Sequence, residues 1–169
     1  MTTIDKMYTK NVHSVLDYSA EGKEIEEQFD LAMEKTLNTI KFGTERKSIP
    51  FAVFKPTGFG KLEIYRKITE GEKLDAHEEV EWKRIKERYN IVSKAAYERD
   101  VPLLIDAEES WMQDAADALV TRMMQKYNKE KAIVFNTLQM YRWDRLDYLK
   151  NLHQQAKMEG FYIGMKIVR

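Results

Sequence analysis

Cysteine is absent from the 169-residue sequence, which excludes disulfides, thiolate zinc sites and cysteine nucleophiles together. Histidine is scarce, and His13, His77 and His153 are too scattered to suggest a histidine-based metal centre, so no metal site is expected. Neither sign of charge prevails, because 28 Lys and Arg balance 28 Asp and Glu. There is then no electrostatic case for a nucleic-acid partner, and no basic arm or acidic tail. No apolar run approaches the ~20 residues that cross a bilayer. The N-terminal MTTIDKMYTK also lacks the apolar centre of a signal peptide. A cytoplasmic protein is expected, peripheral to a membrane at most.

What is present is enough apolar residue, 43%, for a packed core, and a length that fits a single domain over 1–169. The informative stretch is Val101 to Ser110, VPLLIDAEES. Its apolar run is continuous, as a parallel strand with both faces covered requires. It then gives way to Asp106, Glu108 and Glu109. In α/β folds ligands gather at the carboxyl ends of strands, so the other strand exits become the places to look.

In chain order, Ile4, Met7 and Tyr8 fit the end of a short helix, and Val12 to Leu16 reads as a first strand with Asp17 at its exit. Ile25, Phe29, Met33, Leu37 and Ile40 form the stripe of a helix over Glu21 to Phe42, with Gly43 as its cap. Ile49 to Phe54 is a second strand, followed by Lys55. Gly58-Phe-Gly60 has part of the form of a phosphate loop, but without a third glycine or a helix directly behind it a plain turn is the better reading. Lys61 to Gly71 reads as an inserted loop holding a short helix near Leu62 to Ile68. Asp75 and Glu78 form a capping box that opens a helix reaching Arg99, with Trp82, Ile85, Tyr89, Val92 and Ala96 inward and a solvated charged face from Glu78 to Arg88.

Beyond strand three, Ser110 and Gln113 have the form of a second capping box. Met112, Ala116, Leu119, Met123 and Tyr127 mark the inward side of the helix behind it, and Met112, Met123 and Met124 read as core. Ala132 to Phe135, continuing to Gln139, is strand four. Asp144 and Asp147 start a helix carrying Leu146, Leu149, Leu152 and Ala156, and Phe161 to Val168 is strand five, followed by Arg169. The βαβαβαβαβ order, with strands beginning roughly every 30 to 50 residues, is that of successive βαβ units. An open doubly wound sheet and a barrel both satisfy it. A final strand with no helix after it favours an incomplete barrel, and exposed sheet edges there would favour self-association.

Asp17, Lys55, Asp106 with Glu108, Gln139, Lys166 and Arg169 are polar residues where apolar runs end or are interrupted. Gathered on one rim they would form a mixed-charge pocket whose members pair with one another or with an ionic ligand.

Five segments carry a family resemblance: IDAEES at Ile105 to Ser110, NTLQMY at Asn136 to Tyr141, GMKIVR at Gly164 to Arg169, VFKP at Val53 to Pro56 and LDYSAEG at Leu16 to Gly22. In order and spacing the chain resembles the flavin-dependent proline dehydrogenases, closest to the monofunctional bacterial form, from about Val12 onward. The resemblance implies a (βα)8 TIM-type barrel, here about five parallel strands and four main helices of it, with FAD at the carboxyl ends of the strands. It implies oxidation of L-proline to 1-pyrroline-5-carboxylate by hydride transfer to flavin N5, with electrons passed to membrane quinone. Asp17 and Lys55 match residues of the proline pocket. Asp106 matches the acid beneath the flavin ring, Gln139 a ring contact, and Lys166 and Val168 the strand that runs along the flavin into Arg169. Many members have arginine where Lys166 stands, and a lysine offers a point charge in place of a planar fork. The family pattern continues past Arg169 with further strands and a helix bearing two arginines that hold the proline carboxylate. The expectation is the front half of such a barrel, inactive by itself.

Overall fold

The computed structural model describes residues 2–18 and 24–169. Its helices are α1 (Thr3–Tyr8), α2 (Glu26–Thr44), α3 (Leu62–Glu70), α4 (Ala76–Arg99), α5 (Gln113–Tyr127) and α6 (Arg145–Glu159). Among the described residues the strands are β1 (Ala52–Phe54), β2 (Leu103–Ile105), β3 (Val134–Gln139) and β4 (Met165–Val168), and a short 3-10 turn, Pro56–Gly58, follows β1. All the pairings are parallel, in the order β1-β2-β3-β4. Sequential parallel neighbours joined by helices are the βαβ units expected from the spacing of the apolar runs.

Register explains how a three-residue strand serves two purposes. Ala52, Leu103 and Val134 lie side by side, as do Val53, Leu104 and Phe135. The first row is buried in the main core together with Phe54 and Ile105, beneath α2, α4 and α5, which contact the sheet. Side chains alternate along a strand, so the second row points to the other face, where Leu104 and Phe135 are only half-buried. Beneath the helices, Phe54 and Phe59 stack with ring centres 4.1 Å apart, and Tyr89 meets Phe54 edge-on at 5.1 Å. Burying such rings supplies a large share of core stabilisation, about 1.5–3 kcal/mol for each large side chain.

Several local expectations hold. The Asp75 and Glu78 capping box forms, with the Asp75 carboxylate accepting from the backbone of His77 and Glu78. Met112, Met123 and Met124 are core residues. The N-terminal helix is present as α1, and the supposed loop insert is the helix α3.

Other expectations are corrected. The first strand reduces to one parallel bridge, Leu16 to Ala52, because Val12 and Val15 are exposed and the intervening His13 and Ser14 find no sheet partner row. The expected helix start over Glu21 to Lys23 lies outside the described residues, and α2 runs through Gly43 instead of stopping there. The Ser110 capping box does not form: α5 starts without a side-chain cap, because Gln113 spends its amide on the Glu108 N–H and on Asp117. Leu146 is exposed, while Leu152 and Ala156 carry the packing of α6. Most tellingly, the charged run of α4 is not wholly solvated. Glu81 and Arg88 are buried, Glu81 against Lys61 at 2.5 Å and Arg88 against Glu26, Asp30 and the carbonyl of Phe59.

Candidate active site

The open face of the sheet carries polar groups where the buried face carries aliphatic ones. Lys55 follows Phe54 and Asp106 follows Ile105, while Thr137 and Gln139 lie on β3 and Lys166 and Val168 on β4. Alternation assigns all six to the same face as Val53, Leu104 and Phe135. The backbone ladder extends past β2, since the Asp106 N–H donates to Phe54 O at 3.0 Å. Thr137 pairs with Lys166 and Gln139 with Val168 across the β3–β4 ladder.

Hydrogen bonds join these exits into one rim. Lys166 Nζ forms an ion pair with Asp106 Oδ1, across β3 from its own strand. Thr137 Oγ1 donates to the Ile105 carbonyl at 2.7 Å. Gln139 Nε2 donates to the Glu108 carbonyl at 2.7 Å, and Arg142 Nη1 donates to Gln139 Oε1 at 3.4 Å. The Glu108 carboxylate accepts from the N–H of Thr57 at 2.8 Å and from its hydroxyl at 2.6 Å, clasping the exit of β1 to that of β2. Glu108 is therefore a brace between two strand exits.

The ion pair is only partly withdrawn from water, with side-chain exposures of 33% for Lys166 and 23% for Asp106. It keeps a cation and an anion within reach of a ligand on the open face without the cost of burying either alone. At the outer side of the rim, Arg145 first and Arg142 second hold the Asp144 carboxyl down to about 2.

Of the residues singled out from the sequence, Asp106, Gln139 and Lys166 are brought together with Glu108, and Lys55 stands on the same face at the exit of β1. Asp17 is exposed, directly after the Leu16 bridge to Ala52. Val168 and Arg169 are exposed at the end of β4. Thr57, Thr137, Arg142 and Asp117 were not legible as site-related residues. Asp117 left one usable trace, since Gln113 and Asp117 are polar residues spaced four apart on the same inward stripe as Val120 and Met124. Gly58-Phe-Gly60 is a turn, and Gly60 has no room for a side chain because Ile85 fills the space.

A parallel sheet in the sequential order β1-β2-β3-β4, with polar residues collected at the carboxyl ends of its strands, is the α/β arrangement of the barrel class, whose members hold ligands at those ends. The model of the proline dehydrogenase family matches residues 1–169, and the chain belongs to that family. The carbapenem antibiotics biosynthesis protein CarD of Pectobacterium carotovorum subsp. carotovorum is 38% identical over 155 residues, which cover 92% of this chain and 41% of that protein. Mitochondrial proline dehydrogenase 1 of Drosophila melanogaster is 41% identical over 92 residues, 54% of this chain and 14% of its own length. The proline utilization A structure from Bdellovibrio bacteriovorus, described as inactivated by N-propargylglycine, superposes with a TM-score of 0.76 at 16% identity, covering 98% of this chain and 18% of that one. At that identity the likeness is one of fold, and the fold is TIM-barrel-like. The chain thus spans less than half the length of these relatives.

Proposed function

We propose that residues 1–169 act as one domain, the front half of a proline dehydrogenase barrel, with FAD held at its strand exits by Asp106, Gln139, Lys166, Val168 and Arg169. The observation that carries the reading is the Lys166–Asp106 ion pair beside Gln139, on the open sheet face of a chain in the proline dehydrogenase family. The donor set suits a flat polar heterocycle. Val53, Leu104 and Phe135 offer an apolar floor, while the ammonium of Lys166 and the amide of Gln139 offer donors at one margin.

Bound FAD would supply the hydride acceptor, its N5, for the hydride leaving C5 of L-proline. The amine nitrogen of proline gives up a proton as the C–N double bond of 1-pyrroline-5-carboxylate forms, so two electrons leave the substrate in all. The work left to the chain is positional and electrostatic. Lys166 places a positive charge where negative charge accumulates on reduction, and Asp106 fixes the direction of that ammonium. Gln139, tethered by Glu108 and Arg142, presents its amide in one orientation. Lys55 and Asp17 line the proline side, Lys55 as the cation at the β1 exit. Membrane quinone is the acceptor that returns the site to its oxidised form, a step supported by the family resemblance.

The test is a visible spectrum of the chain after incubation with FAD and gel filtration, followed by L-proline without oxygen. A flavin band near ~450 nm that elutes with the protein is expected, and Lys166→Met should weaken its retention about tenfold, the loss of one charge-assisted contact. A protein that retains no flavin overturns the reading. A retained band that proline does not bleach supports a half-site with cofactor contacts and no substrate clamp, whereas bleaching overturns the reading that residues 1–169 are inactive by themselves.

A further inference from the structure

Between α5, α6 and β3, away from the open sheet face, a buried polar cluster centres on Asp117. Asp117 is 4% exposed. Its Oδ1 accepts from Gln113 Nε2 at 2.8 Å and from Asn136 Nδ2 at 2.9 Å, and its Oδ2 accepts from Arg145 Nη1 at 2.6 Å. All three of these partners donate, so the geometry is built for the carboxylate form, although burial pushes the Asp117 carboxyl upward against these donors. A cleft of about 480 Å³ between α5 and α6 reaches this cluster from the outer surface.

The consequence runs through the amide of Gln113. That amide can be turned either way round, but both of its neighbours have one role only, the Asp117 carboxylate accepting and the Glu108 backbone N–H donating. A carboxylate accepts and never donates, so Nε2 must face Asp117 and Oε1 must face the other way. There Oε1 accepts the backbone N–H of Glu108 at 3.0 Å. The Glu108 carbonyl in turn accepts the Gln139 amide at 2.7 Å, and its carboxylate clasps Thr57. Asn136, on the other side, ties the same carboxylate to the strand that bears Thr137 and Gln139.

We propose that Asp117 is a positioning residue for the strand-exit site: its carboxylate anchors the Gln113 amide in the one orientation that also serves the Glu108 N–H, and Glu108 in turn holds the Gln139 amide. This rests on the reading that the rim is the cofactor site. Replacing the carboxylate by an amide breaks the logic whichever way the new side chain turns. Its NH2 must face either the guanidinium of Arg145 or the two donors Gln113 and Asn136.

The experiment is amide NMR on the 15N-labelled chain, read at the Glu108 backbone N–H and the Gln139 side-chain NH2. Asp117→Asn is compared with Leu152→Ala, a buried core truncation in α6 that is unconnected to the network. Asp117→Asn is expected to shift both signals, while Leu152→Ala lowers stability and leaves both in place. Gln113→Ala removes the acceptor of the Glu108 N–H itself, so its informative readout is the Gln139 NH2, which should shift as in Asp117→Asn. Asp117→Glu, which keeps the charge and displaces it, is the second variant at the position if Asp117→Asn fails to fold, and it should move both signals. Unchanged Glu108 and Gln139 signals in a folded Asp117 variant, an unchanged Gln139 signal in Gln113→Ala, or equal shifts in Leu152→Ala, overturn the proposal. Because this readout needs neither FAD nor proline, a failure to bind flavin would count against the cofactor reading and not against the linkage.

Discussion

Gly164 stands two residues before Lys166, at the point where the chain enters β4, and its lack of a side chain has a geometric cause that can be tested. A methyl group added there would lie 2.7 Å from the carbonyl oxygen of Val134 and 2.8 Å from Cδ1 and Cγ of Phe135. The oxygen cannot retreat as a side-chain tip could. It belongs to β3 and accepts a hydrogen bond from Asn128 Nδ2 at 2.9 Å. Gly164 is likewise held, since its own carbonyl accepts from the Asn136 N–H at 3.0 Å. Gly164→Ala must therefore push β4 from β3, and the cost should fall at the upper end of the ~1–3 kcal/mol usual for overpacking. For a chain of this size ~3 kcal/mol corresponds to a fall in Tm of about 6–12 °C. Gly58→Ala is the internal control, because its nearest new contact, Ala32 Cβ at 3.9 Å, is ordinary packing, and a change within about 0.5 kcal/mol is expected. Urea unfolding followed by far-ultraviolet circular dichroism measures both. A loss below ~1 kcal/mol for Gly164→Ala, against the ~1–3 kcal/mol of overpacking, would refute the claim that β3 and β4 are locked at this point.

Two further outcomes follow from buried polar groups. Arg88→Met strips the carbonyl of Phe59 of its donor and leaves Glu26 and Asp30 without their shared cation, so a loss of about 1–3 kcal/mol is expected, set by the unpaired carbonyl. Arg84→Met, which removes a half-exposed partner of Glu26, should cost no more than ~0.5 kcal/mol in the same urea assay. Burial pushes the Tyr148 phenol up to about 12 from an ordinary 10.0. A raised folded value means that its contribution is complete below pH 10.0 and is lost as pH climbs through about 12, amounting to roughly 3 kcal/mol at most. Tyr148→Phe should flatten that part of the stability profile, and a profile unchanged by the substitution would count against the burial argument.

The legible parts of this fold were those set by local chemistry. Asp75 and Glu78 announce a helix start because both halves of the cap lie within four residues. The stripe from Trp82 to Ala96 announces its inward face because helical periodicity is local too. Lys55, Asp106, Gln139 and Lys166 stood out because each ends or interrupts an apolar run, and register then sets them on one face. Misreadings came where the decisive partner is distant in sequence. Arg88 looked like surface charge until α2 supplied Glu26 and Asp30, 62 and 58 residues away. Gln113 was misread for another reason, because its amide goes to Glu108 and Asp117, only five and four residues away, and not back to Ser110. Val12 to Leu16 had the residue types of a strand, but one bridge at Leu16 is all the ladder it forms, since β-branched composition describes fit to a sheet and not its presence.

The claim that the strand exits form the cofactor site is tested most directly by adding FAD to the 15N-labelled chain and mapping which amide signals move. Shifts confined to Asp106, Gln139, Lys166, Val168 and Arg169, with the α5–α6 cleft around Thr121 and Gln155 unmoved, are the expected result. Shifts that gather in that cleft while the rim stays still, or no shifts at all, would contradict it.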